Sequence, residues 1–316
     1  MKAILAMDHS DCAEAALKAV MERKWTADDE ITIVTVLDLF EVLPSFSFDR
    51  EKAFDDARRL VETDADKLRS AFPETRVNTE VMEGYPHVKL AELARQTGAD
   101  CVYLGAHGRR AFSQLLLGSV ANSMLFHAPC SVNIIKTRDL ASGGRYKHVL
   151  IAVDDSKHSR ASMEQIMAMK WPDDVTFHVI NVLENPESFM LFEIAGDRYR
   201  QEIEERAARL AEKAEKMLSG YCCQLEERFG QGRCHFELMH GHPREQILTK
   251  ARQLPAGLIV LGSHGRDFVE TMILGSVSQA VALQAPCSVA IMRQGSGESR
   301  KSETSKQAEK ALQKSS

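Results

Sequence analysis

The sequence predicts an α/β protein of two similar domains, each an open, mostly parallel five-stranded sheet with helices on both faces. Three observations predict it. The chain has 316 residues, enough for two domains at roughly 100–200 residues each. Short apolar runs alternate with longer amphipathic stretches, the pattern of β-α-β units. And the chain is one unit written twice: GAHGRRAFSQLLLGSVANSMLFHAPCSVNIIK from Gly105 and GSHGRDFVETMILGSVSQAVALQAPCSVAIMR from Gly262 agree at 14 of 32 positions without a gap. A repeat of this length marks duplicated domains rather than a short solenoid module.

In the first half, strands are expected near Lys2–Met7, Ile31–Leu37, Arg76–Met82, Cys101–Leu104 and Ser131–Lys136. Helices fall near Cys12–Arg23, Arg50–Ala71, Pro86–Gln96 and Ser119–His127. The second half repeats the strands near Lys147–Val153, Val175–Val182, His235–Met239, Leu258–Leu261 and Ser288–Arg293, with a long second helix over Arg198–Leu218 rich in i, i+4 charge pairs. It carries 11 extra residues before its Gly-x-Pro. Domains are expected at 1–137 and 147–293, joined by a linker at 138–146 and followed by a polar, disordered tail at 294–316.

Composition narrows the class. Hydrophobic residues make 44% of the chain and charged residues 27%, so a core is expected. The balance of 40 basic against 45 acidic side chains, net −5, gives no general reason to seek nucleic acid or an anionic membrane. No apolar run is long enough to span a bilayer, and seven scattered cysteines lack any C-x-x-C pair. A cytoplasmic protein with reduced thiols is the expectation.

The glycines carry the chemistry. Gly105 and Gly108 follow a buried strand, and after nine intervening residues Gly118-Ser119 opens a helix; Gly262, Gly265 and Gly275-Ser276 repeat that spacing. Such loops let the backbone approach a phosphate, while helix N-terminal amides and the Ser hydroxyl supply donors. One copy would as readily be a plain strand-to-helix turn; two complete copies favour the anion site. Asp8 and Asp154 end the first strand of each half, at the sheet edge where open α/β sheets bind ligands, and fit a cap or turn equally well. Ser10 and Ser156 suit the N-cap of the next helix. There is no P-loop, no G-x-G-x-x-G after a strand and no kinase signature.

These features together, the Gly-x-x-Gly, nine residues, Gly-Ser pattern, the strand ending in Asp-x-Ser and the Ala-Pro-Cys-Ser-Val lead into a last strand, resemble the universal stress protein family in its ATP-binding branch. The resemblance covers Lys2–Lys136 and Lys147–Arg293. It implies a tandem protein of adenine nucleotide alpha hydrolase-like fold, with the first and fourth strands adjacent, so that Asp8 approaches Gly105 and Asp154 approaches Gly262. It implies ATP as ligand, with Asp8 near adenine and ribose, Val36 meeting adenine through its backbone, and Gly105, Gly108, Gly118, Ser119 and Val120 lining ribose and phosphates. Asp154, Val182, Gly262, Gly265, Gly275, Ser276 and Val277 are the second set. Arg109 and Arg266 either screen phosphate or are solvated loop arginines.

His107 and His264, inside the glycine loops, are expected to position ligand rather than transfer protons, and no catalytic residue is assigned. The resemblance implies a stress-response nucleotide-binding or signalling module. A slow ATP hydrolase and a nucleotide-independent scaffold are the alternatives. Mg²⁺ could accompany ATP without a dedicated motif. Pairing of the two halves through their final strands, and further homodimerisation, are expected because an apolar sheet edge invites pairing. Asp267 opposite Arg110 favours the first half as the tighter site. The cluster Cys234, His235, His240 and His242 is irregularly spaced for metal, Cys222-Cys223 reads as a helix-end pair, and Cys130 and Cys287 as small buried residues.

Overall fold

The computed structural model describes residues 1–38, 49–108, 117–137, 146–184, 197–265 and 274–293. The linker, the tail, Arg109, Arg110, Arg266 and Asp267 lie outside them, except for Thr137 and Tyr146 at the linker's margins. Two compact units emerge, Met1–Arg145 with Ala290–Ser316, and Tyr146–Val289.

The first half runs β1 (Lys2–Ala6), α1 (Asp11–Met21), β2 (Glu30–Leu37), α2 (Arg50–Ala71), β3 (Arg76–Glu83), α3 (Pro86–Thr97), β4 (Cys101–Gly105), α4 (Ser119–His127) and β5 (Ser131–Ile135). The second runs β6 (His148–Ala152), α5 (Lys157–Ala168), β7 (Thr176–Leu183), α6 (Asp197–Phe229), β8 (Cys234–His240), α7 (Pro243–Gln253), β9 (Leu258–Gly262), α8 (Ser276–Gln284) and β10 (Ser288–Met292). Strand order is β3-β2-β1-β4-β5 in the first half and β8-β7-β6-β9 in the second. The first and fourth strands are therefore neighbours, paired in parallel as Leu5 with Tyr103 and Ile151 with Val260.

The reasons are local. The central strands are continuous apolar runs because helices cover both faces: Ile4, Leu5, Val102, Leu150 and Ile259 are at most 1% exposed. On one face of the first sheet α1 packs with α2, and on the other α3 packs with α4. Ser10 caps α1 by accepting from the Ala13 amide, and Ser156 caps α5 by accepting from the Ser159 amide, as the sequence predicts. Pro86 opens α3 and Gly98, at φ 65°, ends it in the left-handed region. The two tryptophans are repeat partners: Trp25 Nε1 donates to the Val20 carbonyl and Trp171 Nε1 to that of Ile166, closing the first helix of each half.

One element is longer than expected. Helix α6 continues to Phe229, past Ser219-Gly220, because Leu218, Cys222 and Leu225 keep a buried stripe at helical spacing. Cys222 and Cys223 thus lie inside the helix rather than at its end.

Candidate nucleotide-binding sites at the sheet edge

Each half builds the same frame at the carboxyl ends of its first and fourth strands. In the first, the Met7 amide donates to the Val34 carbonyl and the Thr35 hydroxyl donates to the Met7 carbonyl at 2.8 Å, fixing the backbone just before Asp8. His9 then takes φ 56°, turning the chain sharply into α1. Asp8 Oδ1 accepts from the Ser10 amide at 3.0 Å and the Ser10 hydroxyl at 2.6 Å, an Asx-type turn. Its other oxygen faces the glycine loop: a Cβ on Gly108 would sit 2.7 Å from Asp8 Oδ2. Asp8 is thus both turn former and loop contact.

Gly105 serves another purpose. A Cβ there would lie 2.7 Å from Cys12 Cβ and 2.8 Å from the Cys12 carbonyl carbon, so this glycine lets α1 close on β4. Gly108 is the loop glycine whose Cβ position lies directly against Asp8, while the pairing of Leu5 with Tyr103 brings the ends of β1 and β4, and so Asp8 and Gly105, to the same edge. Gly118 donates its amide to the Ala106 carbonyl at 2.8 Å and leads into α4, whose start has no side-chain cap. Ser119 is exposed at that helix start, with Val120 behind it. His107 contributes its backbone carbonyl, which accepts from the Ser10 hydroxyl at 3.1 Å.

The second half repeats the frame with other side chains. Asn181 Nδ2 replaces Thr35, donating to the Val153 carbonyl at 2.7 Å. Asp154 Oδ1 accepts from the Ser156 amide at 3.1 Å and the Ser159 hydroxyl at 2.7 Å, while a Cβ on Gly265 would lie 2.9 Å from Asp154 Oδ2. Gly275 donates to the Ser263 carbonyl at 2.8 Å and opens α8, again without a side-chain cap. The rings of His158 and His264 stand 5.0 Å apart, and burial, then the His264 ring, hold His158 below its ordinary pKa.

Around this frame is a cleft of about 770 Å³ in the second unit, within the roughly 300–1,000 Å³ usual for small-molecule sites. Asp154, Val182, Gly262, His264, Gly265, Gly275, Ser276 and Val277 all line it. Every described member of the second predicted set therefore faces one cavity.

The comparisons with known proteins follow this geometry. The family model described as "Universal stress protein family" matches residues 1–136 and again 145–293. The chain belongs to the universal stress protein family. A universal stress protein of Mycolicibacterium smegmatis is 27% identical over 301 residues, covering 92% of this chain and 96% of its own length. One of Staphylococcus epidermidis is 30% identical over 149 residues, 47% of this chain and 84% of its own. Among solved structures, a universal stress protein from Archaeoglobus fulgidus superposes with a TM-score of 0.60 at 22% identity, over 94% of this chain and 97% of that one, and supports the fold.

Several contributors to the universal stress protein sites escaped sequence reasoning. Thr35 and Asn181 resemble ordinary strand residues; their position directly before Val36 and Val182 in both repeats was the available signal. Ser159 and Ser278 replace alanines of the first half, and Ser278 donates to the Gly262 carbonyl at 2.7 Å. Ile203, Arg206, Ala207 and Leu210 of α6 also line the cleft. Of the cysteines, Cys130 and Cys287 are buried as expected, and burial pushes the Cys130 thiol up to about 12. Among the described residues no group of three or more His, Cys, Asp or Glu could hold a metal ion, and no helix is long and apolar enough to cross a membrane.

Proposed function

We propose that each half binds an adenine nucleotide, ATP in the first instance, and that occupancy makes the chain a stress-response signalling module. The observation that carries this is the second-half cleft, in which a strand-end carboxylate, a glycine turn and an uncapped helix start share one cavity. The uncapped amides of α4 and α8, with the hydroxyls of Ser119 and Ser276, suit phosphate oxygens, and the positive helix end adds to them. The backbone of Val36 and Val182, beyond the last residues paired with β1 and β6, suits a base, and Asp8 and Asp154 suit ribose hydroxyls. Any Mg²⁺ would be held mainly through the phosphates. Self-association and a cytoplasmic setting belong to the same proposal.

The test is to purify the chain without added nucleotide, denature it, and identify what is released by chromatography and mass spectrometry. Released adenine nucleotide, or ATP uptake by the emptied protein, supports the proposal. Neither release nor uptake by a folded protein overturns it. ADP accumulating in step with site occupancy would favour slow hydrolysis.

A further inference from the structure

Helix α6 has 33 residues and its counterpart α2 has 22. Both end four residues short of the following strand, at Ala71 before Arg76 and at Phe229 before Cys234. The extra three turns therefore stand at the start of α6, over residues 197–207, adding about 16 Å at 1.5 Å per residue. In a β-α-β unit the helix returns antiparallel to its strands, so its start lies at their carboxyl edge, beside the cleft.

The side chains that line the cleft from this extension follow one stripe. Ile203, Arg206, Ala207 and Leu210 are spaced i, i+3, i+4 and i+7. The same stripe continues down the helix as Ala214 and Leu218, which are buried. At Leu210, 43% exposed, it has passed the packed part of the unit and meets the cleft instead. Glu202, Glu204, Glu205 and Arg209 are outside the lining set.

Arg206 is the only lysine or arginine among the described lining residues. Nearby cations on α6 are matched, Arg209 by Glu205 at 3.2 Å and Lys213 by Asp155 at 2.5 Å. Among the described residues Arg206 has no such partner. A second observation points to a ligand: Asn181, 3% exposed and part of the same lining, has an Oδ1 that accepts no hydrogen bond among the described residues.

We infer that Arg206 is a specificity-determining residue of the second-half site, binding the phosphates of a nucleotide held in the cleft that it lines. This rests on the nucleotide reading above and goes beyond it, because among the described residues the first half has no equivalent of these three turns. Guanidinium–phosphate pairs are charge-assisted and directional, so they discriminate phosphorylated ligands from neutral ones.

The experiment uses the full chain carrying Gly118→Val, chosen to crowd the first site and checked for loss of one bound ATP per chain, and titrates ATP and adenosine calorimetrically. Arg206→Gln is expected to weaken ATP about tenfold while changing adenosine less than about twofold, and Arg209→Gln, outside the lining set, to change neither. Unchanged ATP affinity in Arg206→Gln overturns the inference while leaving the nucleotide reading standing, as does an equal loss for adenosine. Failure of the Gly118→Val parent to bind ATP at all overturns both.

Discussion

The two halves share a glycine frame and differ in what surrounds it. Where the first half has Ala13, Ala16, Ala106 and Ala121, the second has Ser159, Ser162, Ser263 and Ser278. The alanines let α1 close tightly on β4, so that a Cβ on Gly105 would lie 2.7–2.9 Å from the start of α1, whereas one on Gly262 meets nothing nearer than 3.4 Å. The serines instead tie Asp154 and the Gly262 carbonyl into hydrogen bonds. Even the brace behind the strand-end Asp differs: His9 faces Asp64 of α2 at 3.8 Å, while Asp155 faces Lys213 of α6. One frame thus supports an apolar, close-packed version and a polar, hydrogen-bonded version.

The sharpest break in that comparison comes from the glycines. Gly105→Ala should overpack the first half and cost about 1–3 kcal/mol, while Gly262→Ala should cost under about 1 kcal/mol, as read from denaturant unfolding of the two variants. Equal losses would contradict the tighter packing assigned to the first half.

Next in size is Ser159→Ala. It removes the hydroxyl that donates to Asp154 Oδ1 and accepts from the Asp154 amide, at a cost of about 1–3 kcal/mol. Its nucleotide affinity should fall in the second half alone, which a titration in the Gly118→Val background would show.

A third difference is titratable. His178 sits between His148, 3.2 Å away nitrogen to nitrogen, and His235, with ring centroids 5.4 Å apart. Burial first, then these two rings, lower its pKa to about 4 from an ordinary 6.5, with Lys250 adding to the shift and Glu237 opposing it. Between those values the unfolded chain binds the proton and the folded chain does not, so stability is full above about 6.5 and falls as the pH drops toward 4. The first half has Thr32 at the matching position. Unfolding followed against pH should therefore lose part of its slope in this window in His178→Thr, and an unchanged slope would reject the assignment.

The smallest effect belongs to Lys213→Ala. Its ion pair with Asp155 is largely exposed, and exposed pairs contribute about 0–1 kcal/mol; a loss well above that would mean the pair braces the loop after Asp154.

Much of this was legible in the sequence. Strand positions, the α1 and α5 caps and the paired glycine spacings follow from apolar runs and from Ser, Gly and Pro at fixed offsets, which are local signals doubled by the repeat. The line of Asp154, Gly265 and Ser276 around one cleft was legible for the same reason. The reach of α6 was not, because Gly220 and the adjoining polar residues look like a stop until Leu218, Cys222 and Leu225 are seen packed on the sheet. Nor was the role of its first three turns: an insertion announces its length, while which stripe of it meets a cavity depends on tertiary placement. Asn181 and Thr35 were hidden because a polar residue in a strand reads as a surface position, whereas here each bonds the carbonyl that precedes the strand-end Asp.

The most direct test of the whole account is the stoichiometry of ATP binding to the full chain and to Gly118→Val, Gly275→Val and their combination, by equilibrium dialysis with folding checked by circular dichroism. The account predicts two ATP per chain in the parent, one in each single variant and none in the double. A folded double variant that still binds ATP would contradict it.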